Sequence, residues 1–121
     1  MSHHEEELPL EDASRIRAIV DCVVRHDRAG ADRLLDKPIS GDEDFWNALK
    51  QYEADFQHRF GPLPDDFRTG MRVYTLNDGS GWSIDQALWS EHGEASDLYM
   101  ILDVIKTHPR NRIEIYTIRV L

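Results

Sequence analysis

Gly61-Pro62-Leu63-Pro64-Asp65-Asp66-Phe67-Arg68-Thr69-Gly70-Met71-Arg72-Val73-Tyr74-Thr75-Leu76 is the stretch in which the hydrophobic period of this chain changes. Before it, apolar side chains recur every three or four positions, the spacing of one helix face. After it they alternate, with β-branched and aromatic residues, as strands do. Pro64, Asp65 and Asp66 favour turns, so residues 63–70 read as a loop between two regimes. The expected fold class is α+β, with two or three N-terminal helices packed on a four-stranded antiparallel meander.

Upstream of the switch, residues 10–28 carry Ile16, Ile19, Val20, Val23 and Val24 at the spacing of a single helical face. Cys22 falls outside that stripe, and Gly30 can close the helix. Residues 31–36 read as a short helical turn, which Lys37-Pro38 interrupts. Ser40 and Glu43 have capping-box spacing, so a further helix is expected from Ser40. Its stripe is Phe45, Ala48, Leu49, Tyr52, Phe56 and Phe60, ended by Gly61-Pro62. This stripe reads as core rather than as a cofactor box.

Downstream, residues 71–76, 82–89, 98–105 and 113–120 read as strands. Asn77-Asp78-Gly79-Ser80-Gly81 and the Gly93 region supply turn residues that tolerate positive φ, so successive strands should pair as hairpins. Residues 98–105 are apolar on both faces apart from Asp103, which places that strand near the sheet centre. Its second face then needs a cover, and a homodimer through the sheet is one candidate.

The chain has 121 residues, the size of one domain. We expect a mobile acidic tail over residues 1–9 and a single α+β domain over 10–121. Met1-Ser2-His3-His4 followed by Glu5-Glu6-Glu7 reverses the order of a signal peptide, and no apolar run approaches a membrane span of about 20 residues. A cytoplasmic protein is expected. The formal charge is −9, of which residues 1–66 carry −8 and residues 67–121 only −1. Such a charge disfavours nucleic acid and anionic membranes and favours a basic protein partner.

Signals for chemistry are sparse. The six histidines, His3, His4, His26, His58, His92 and His108, do not fall into any metal-binding spacing, so no metal and no cofactor is expected. Cys22 has no second thiol to pair with. Asp78-Gly79-Ser80-Gly81 lacks a following helix and reads as a turn, not a phosphate cradle. Asp85, Asp103 and Glu114 lie within strands and could act as acid or base if wrapped into an apolar pocket, although a solvated face is the simpler reading. Trp82, Trp89 and Tyr99 are either core or one wall of a binding face.

Two resemblances add to this reading. Trp82-Ser83-Ile84-Asp85, Leu88-Trp89-Ser90-Glu91, Gly93, Ser96-Asp97-Leu98 and the ending Arg112-Ile113-Glu114-Ile115 through Val120-Leu121 resemble uncharacterised small bacterial domains. Those carry Leu-Trp-Thr-Glu followed by Gly-x-Ser-Asp-Leu, whereas Ser90 here replaces the threonine and Ala95 precedes Ser96. That resemblance covers about a third of the chain and implies no activity, leaving Ser96-Asp97 as a turn that fixes a hairpin. The first helix with Gly30-Ala31-Asp32-Arg33-Leu34-Leu35 is similar to the SnoaL-like cone fold, which implies a curved sheet and a ligand or catalytic pocket.

The leading functional expectation is a protein-binding module, specifically an immunity protein that neutralises a basic toxin by binding it. Asp42, Glu43, Asp44, Asp55, Asp65 and Asp66 would face the partner, with Trp46 as aromatic anchor. No catalytic residue is assigned on this reading. The alternative is a cone-shaped ligand-binding or catalytic domain, with Asp85, Tyr99 and Asp103 at a pocket between sheet and helices.

Overall fold

The structure, a computed structural model, describes residues 7–57 and 59–121. His3, His4, His58 and residues 1–6 of the expected tail lie outside the described residues. Leu8 is buried in the core and its carbonyl accepts a hydrogen bond from Arg68, so the packed domain begins before residue 10.

Three helices precede the sheet: α1 (Leu10–Val24), α2 (Arg28–Leu34) and α3 (Glu43–Phe56). The expected stripe of α1 is buried along its length, and Cys22 joins it in the core, contrary to the single-face reading. Gly30 does not end α1. His26 adopts positive φ just beyond it, and the N–H groups of His26 and Asp27 return to Val23 and Cys22. A left-handed residue with returning bonds satisfies the carbonyls that a helix end leaves open. Gly30 lies inside α2, where a Cβ would stand 2.2 Å from Oδ2 of Asp27, the carboxylate that caps this helix.

The cap of α3 is Asp42 rather than Ser40; its carboxylate accepts the Phe45 N–H at 3.1 Å. Ser40 is occupied elsewhere, its N–H donating to Asp32 at 3.0 Å. Hydrogen bonds from Ser40 and Ile39 outweigh the opposing effect of burial and hold the Asp32 carboxyl below its ordinary value. Helix α3 stops at Phe56, where Gln57 turns left-handed, so Phe60 belongs to the sheet and not to the helical stripe.

The sheet has five antiparallel strands: β1 (Phe60–Gly61), β2 (Arg72–Thr75), β3 (Gly81–Ser90), β4 (Ala95–Ile105) and β5 (Arg112–Val120). The expected meander is present as β2-β3-β4-β5, with β4 central. The unforeseen strand β1 pairs with the far end of β3, Phe60 opposite Ser90. Phe67–Gly70, expected as plain loop, forms a 3₁₀ turn. Gly81 is confined by its neighbour strand: its φ is +156° and a Cβ there would lie 2.0 Å from the Val104 carbonyl.

Trp82, Ile84, Met100, Leu102, Val104 and Ile113 share the sheet face that packs with α1 and α3 in one core. Hydrogen bonds weld α1 to the sheet. Arg15 donates to the carbonyls of Leu34 and Asn111 and to the Asp36 carboxylate, while Asn111 donates to the buried Asp12. Buried polar groups bonded this fully fix one arrangement of the elements they join.

Candidate functional site

The acids singled out from the sequence do not form one surface. Asp42 and Asp44 stand exposed at the start of α3, and Glu43 beside them is paired with Arg28 at 2.7 Å. That hydrogen bond and the Arg28 charge lower the Glu43 carboxyl below its usual range. Asp65 pairs with Arg17 on α1 at 3.2 Å, and Asp66 leads into the 3₁₀ turn. Asp55 accepts a hydrogen bond from Gln51 on α3.

Trp46 cannot serve as an exposed anchor. It is fully buried, its indole N–H donates to the Ile39 carbonyl at 2.9 Å, and Phe45 meets it edge-on. The period-3.6 pattern placed Phe45 on the core face without revealing that the next residue is also enclosed by the 28–40 segment. Arg28 lies 5.0 Å from the Trp46 ring and contributes to that enclosure.

An exposed aromatic does stand beside Asp42 and Asp44, and it is Tyr116. The β4/β5 register slips between Ile101 and Leu102, whose partners are Thr117 and Ile115, so Tyr116 is an extra residue. A bulge of this kind turns a side chain out of its regular alternation. Tyr116 is 71% exposed. With Asp42, Asp44, Phe45, Ala48, Thr117 and Ile118 it lines a groove of about 350 Å³ between α3 and β5. Composition and spacing carried no signal for this, because the slip in pairing is a property of two strands together.

A second, larger groove of about 900 Å³ opens between the C-terminal ends of α1 and α3. Its central feature is the pair His26 and Glu53, with Nε2 to Oε1 at 2.7 Å. Arg25, Lys50, Arg59 and Glu91 lie around it, and Val24, Ala54 and Phe60 supply apolar wall. Lys50, Glu53, Ala54 and Gln57 share one face of α3 by their spacing, whereas His26 is brought there by the left-handed turn after α1. Neither His26 nor Glu53 carries a local signal for this pairing, since they meet only where the turn after α1 comes up against α3.

Asp85, Tyr99 and Asp103 are not in a cavity between sheet and helices; that space is filled by the core. They alternate with the core residues and lie on the sheet's outer face. There Asp103 is flanked by Ser83 and Glu114, and Arg72 sits 5.5 Å from the Tyr99 ring. Partial burial and the neighbouring Glu114 charge raise the Asp103 carboxyl above its ordinary value. Among the described residues no group of three or more His, Cys, Asp or Glu side chains is placed to hold a metal ion.

The Trp-rich hairpin has a structural explanation. Between the pairs Ala87–Tyr99 and Trp89–Ala95 strand β3 has only Leu88 while β4 has Ser96, Asp97 and Leu98, so β4 bulges there, and the Ser96 hydroxyl donates to the Leu88 carbonyl at 2.7 Å. Ser90 accepts the N–H groups of His92 and Glu94 across the turn at Gly93, whose φ is +86°. Asp97 instead looks outward from the hairpin and accepts the Tyr52 hydroxyl of α3. Comparison with protein families matches residues 20–121 to a domain of unknown function, DUF7668. The chain belongs to the DUF7668 family. The segment matched to DUF7668 holds both grooves and the whole sheet, and begins within α1 after Asp12, Arg15 and Arg17. Comparisons with curated proteins and with solved structures find no match.

Proposed function

We propose that this domain is a protein-binding module that receives a basic partner on the surface shared by α3 and β5. The observation that carries the reading is Tyr116, thrown outward by a bulge on the last strand and flanked by Asp42 and Asp44. Tyrosine at the centre of an interface supplies contact area at low entropic cost, and acids at its rim steer a cationic partner. The net charge of −9 points the same way and sets nucleic acid aside. A basic toxin neutralised by occupation is the specific partner class we favour, with the domain acting as its immunity protein in the cytoplasm. The single cysteine, buried and unpaired, suits a reducing compartment.

The test is site-specific cross-linking in the native host, with a photoreactive residue at position 116 and, as control, at position 74. A basic protein captured from 116 and not from 74 supports the reading, and Asp44→Lys, which leaves the Asp42 cap of α3 in place, should then suppress the adduct. An adduct from 74 alone, or one unmoved by the charge reversal, overturns it.

A small-ligand reading survives in altered form, because the His26–Glu53 groove has the volume of a ligand site. It would use His26 and Glu53 in place of Asp85, Tyr99 and Asp103. Its test is ligand screening by NMR: a compound that shifts His26 and Glu53 signals, and loses affinity in His26→Ala, supports it, and shifts elsewhere reject it.

A further inference from the structure

We infer that the partner's contacting segment is an extended basic strand that adds to the open half of β5. This inference rests on the α3/β5 reading above and specifies how that surface is used.

Strand β5 is an edge strand, since among the described residues β4 is its only neighbour in the sheet. Along an antiparallel edge, alternate residues direct N–H and C=O toward the neighbour and away from it. The pairing register decides which do which. Val104 is opposite Ile113, Leu102 opposite Ile115, Met100 opposite Ile118 and Leu98 opposite Val120. Ile113 is an outward residue: its carbonyl accepts the Asp36 N–H at 3.0 Å and its own N–H donates to the Asp36 carboxylate at 2.7 Å. The same alternation along β4 makes Ile115, Ile118 and Val120 outward as well. The bond from Leu121 N–H to the Asp97 carbonyl confirms the phase, because it runs inward from the position next to Val120.

The two halves of this edge are treated differently. Asp36 covers the first, imitating a neighbouring strand for one residue. No side chain and no loop hydrogen-bonds the outward groups of Ile115, Ile118 or Val120 among the described residues. Edges left open in this way are templates for strand addition unless a proline, a lysine or a covering element blocks them. Residues 115–120 contain no proline, and their one charged side chain, Arg119, pairs with Tyr99 on the outer face, away from the face that Ile115 and Ile118 share. The α3/β5 groove runs beside this half, walled by Phe45 and Ala48 and bordered by Asp42 and Asp44. A strand lying there would pair its backbone with β5, set one row of side chains toward those carboxylates and meet Tyr116 with the other. Lysine or arginine in that row completes the charge match, which is why the occupant is basic and extended.

The probe is a capped peptide alternating lysine and valine, together with two twins N-methylated at every lysine or at every valine. In a strand all lysines share one N–H edge and all valines the other, so strand addition predicts that one twin loses affinity and the other keeps it. The amides of Ile115, Ile118 and Val120 should gain protection from hydrogen exchange on binding, while Ile113, already held by Asp36, stays unchanged. Val120→Pro removes an outward donor without touching the β4 ladder. It should weaken the peptide roughly tenfold, the value of one or two hydrogen bonds, at unaltered melting temperature.

Equal affinity of both twins and the parent, with no protection along β5, overturns strand addition. The basic-partner reading still stands in that case if Asp44→Lys, with the Asp42 cap of α3 intact and the melting temperature unaltered, abolishes binding. A peptide that ignores the charge reversal, or fails to bind, overturns both.

Discussion

Asp36 and Ile113 exchange two hydrogen bonds, the Asp36 N–H donating to the Ile113 carbonyl and the Ile113 N–H donating to the Asp36 carboxylate, and so close the first half of an edge strand. Arg15 reaches the same carboxylate at 2.7 Å, and Arg110 stands 3.6 Å from it. One side chain thus joins α1, the segment after α2, and β5.

Asp36 makes stability depend on acid pH. Burial alone would raise its carboxyl, but the bonds from Ile113 and Arg15 and the charges of Arg15 and Arg110 outweigh it and hold it below its ordinary 3.8. A folded value below the unfolded one means that the stabilisation is complete above about pH 4 and is lost as pH falls through the folded value. Asp36→Ala should cost about 2–3 kcal/mol at pH 7, largely by leaving Arg15 without its carboxylate. Chemical denaturation across pH 2–7 should show the wild-type advantage shrinking toward the acid end; a constant difference would contradict the assignment.

Asp103 has the opposite sign. Its carboxyl is raised, so ionisation costs folding energy above its folded value and costs nothing below the unfolded value near 3.8. Asp103→Asn should therefore stabilise the protein at pH 7, by less than about 1 kcal/mol because the site is partly solvated, and change little at pH 3. Melting curves at the two pH values decide it.

Gln86 is fully buried on β3, with its amide N–H bonded to the Ala87 carbonyl and its Oε1 unpartnered among the described residues. Gln86→Met keeps the volume and removes the unpaired acceptor. A gain of about 1 kcal/mol is expected in urea denaturation. A loss of that size would show that the amide contributes more than its one bond.

Ser96 carries the bulge. Ser96→Ala strips the Leu88 carbonyl of its hydroxyl partner and should cost about 1–2 kcal/mol. Amide exchange should quicken in residues 88–98 before it does in β5. Uniform loss of protection would mean that the hairpin does not open on its own.

Trp46 and Tyr116 separate packing from recognition. Trp46→Ala should cost about 3–5 kcal/mol as a core cavity with a stranded Ile39 carbonyl. Tyr116→Ala should change stability by no more than about 0.5 kcal/mol, the range of surface substitutions, yet remove partner binding. Parallel denaturation and cross-linking of the two variants check this.

Local pattern carried a great deal of this protein. The period change near Gly70, the buried stripe Ile16-Ile19-Val20-Val23-Val24 and the four long strands all follow from the alternation of apolar and polar residues, because side-chain direction repeats every 3.6 or 2 positions whatever the rest of the chain does. Hairpin pairing followed from Asn77 to Gly81 and from Gly93, whose backbone freedom is local too. What local pattern could not decide was any feature made by two distant segments at once. Trp46 is buried because the 28–40 segment passes over it, and Asp42 caps α3 because the helix starts only at Glu43, with Ser40 tied back to Asp32. Tyr116 is exposed because β5 slips by one residue against β4, and His26 meets Glu53 because the turn after α1 comes up against α3. Register, the approach of distant segments and enclosure are fixed only when the whole core closes, and both grooves are made of them.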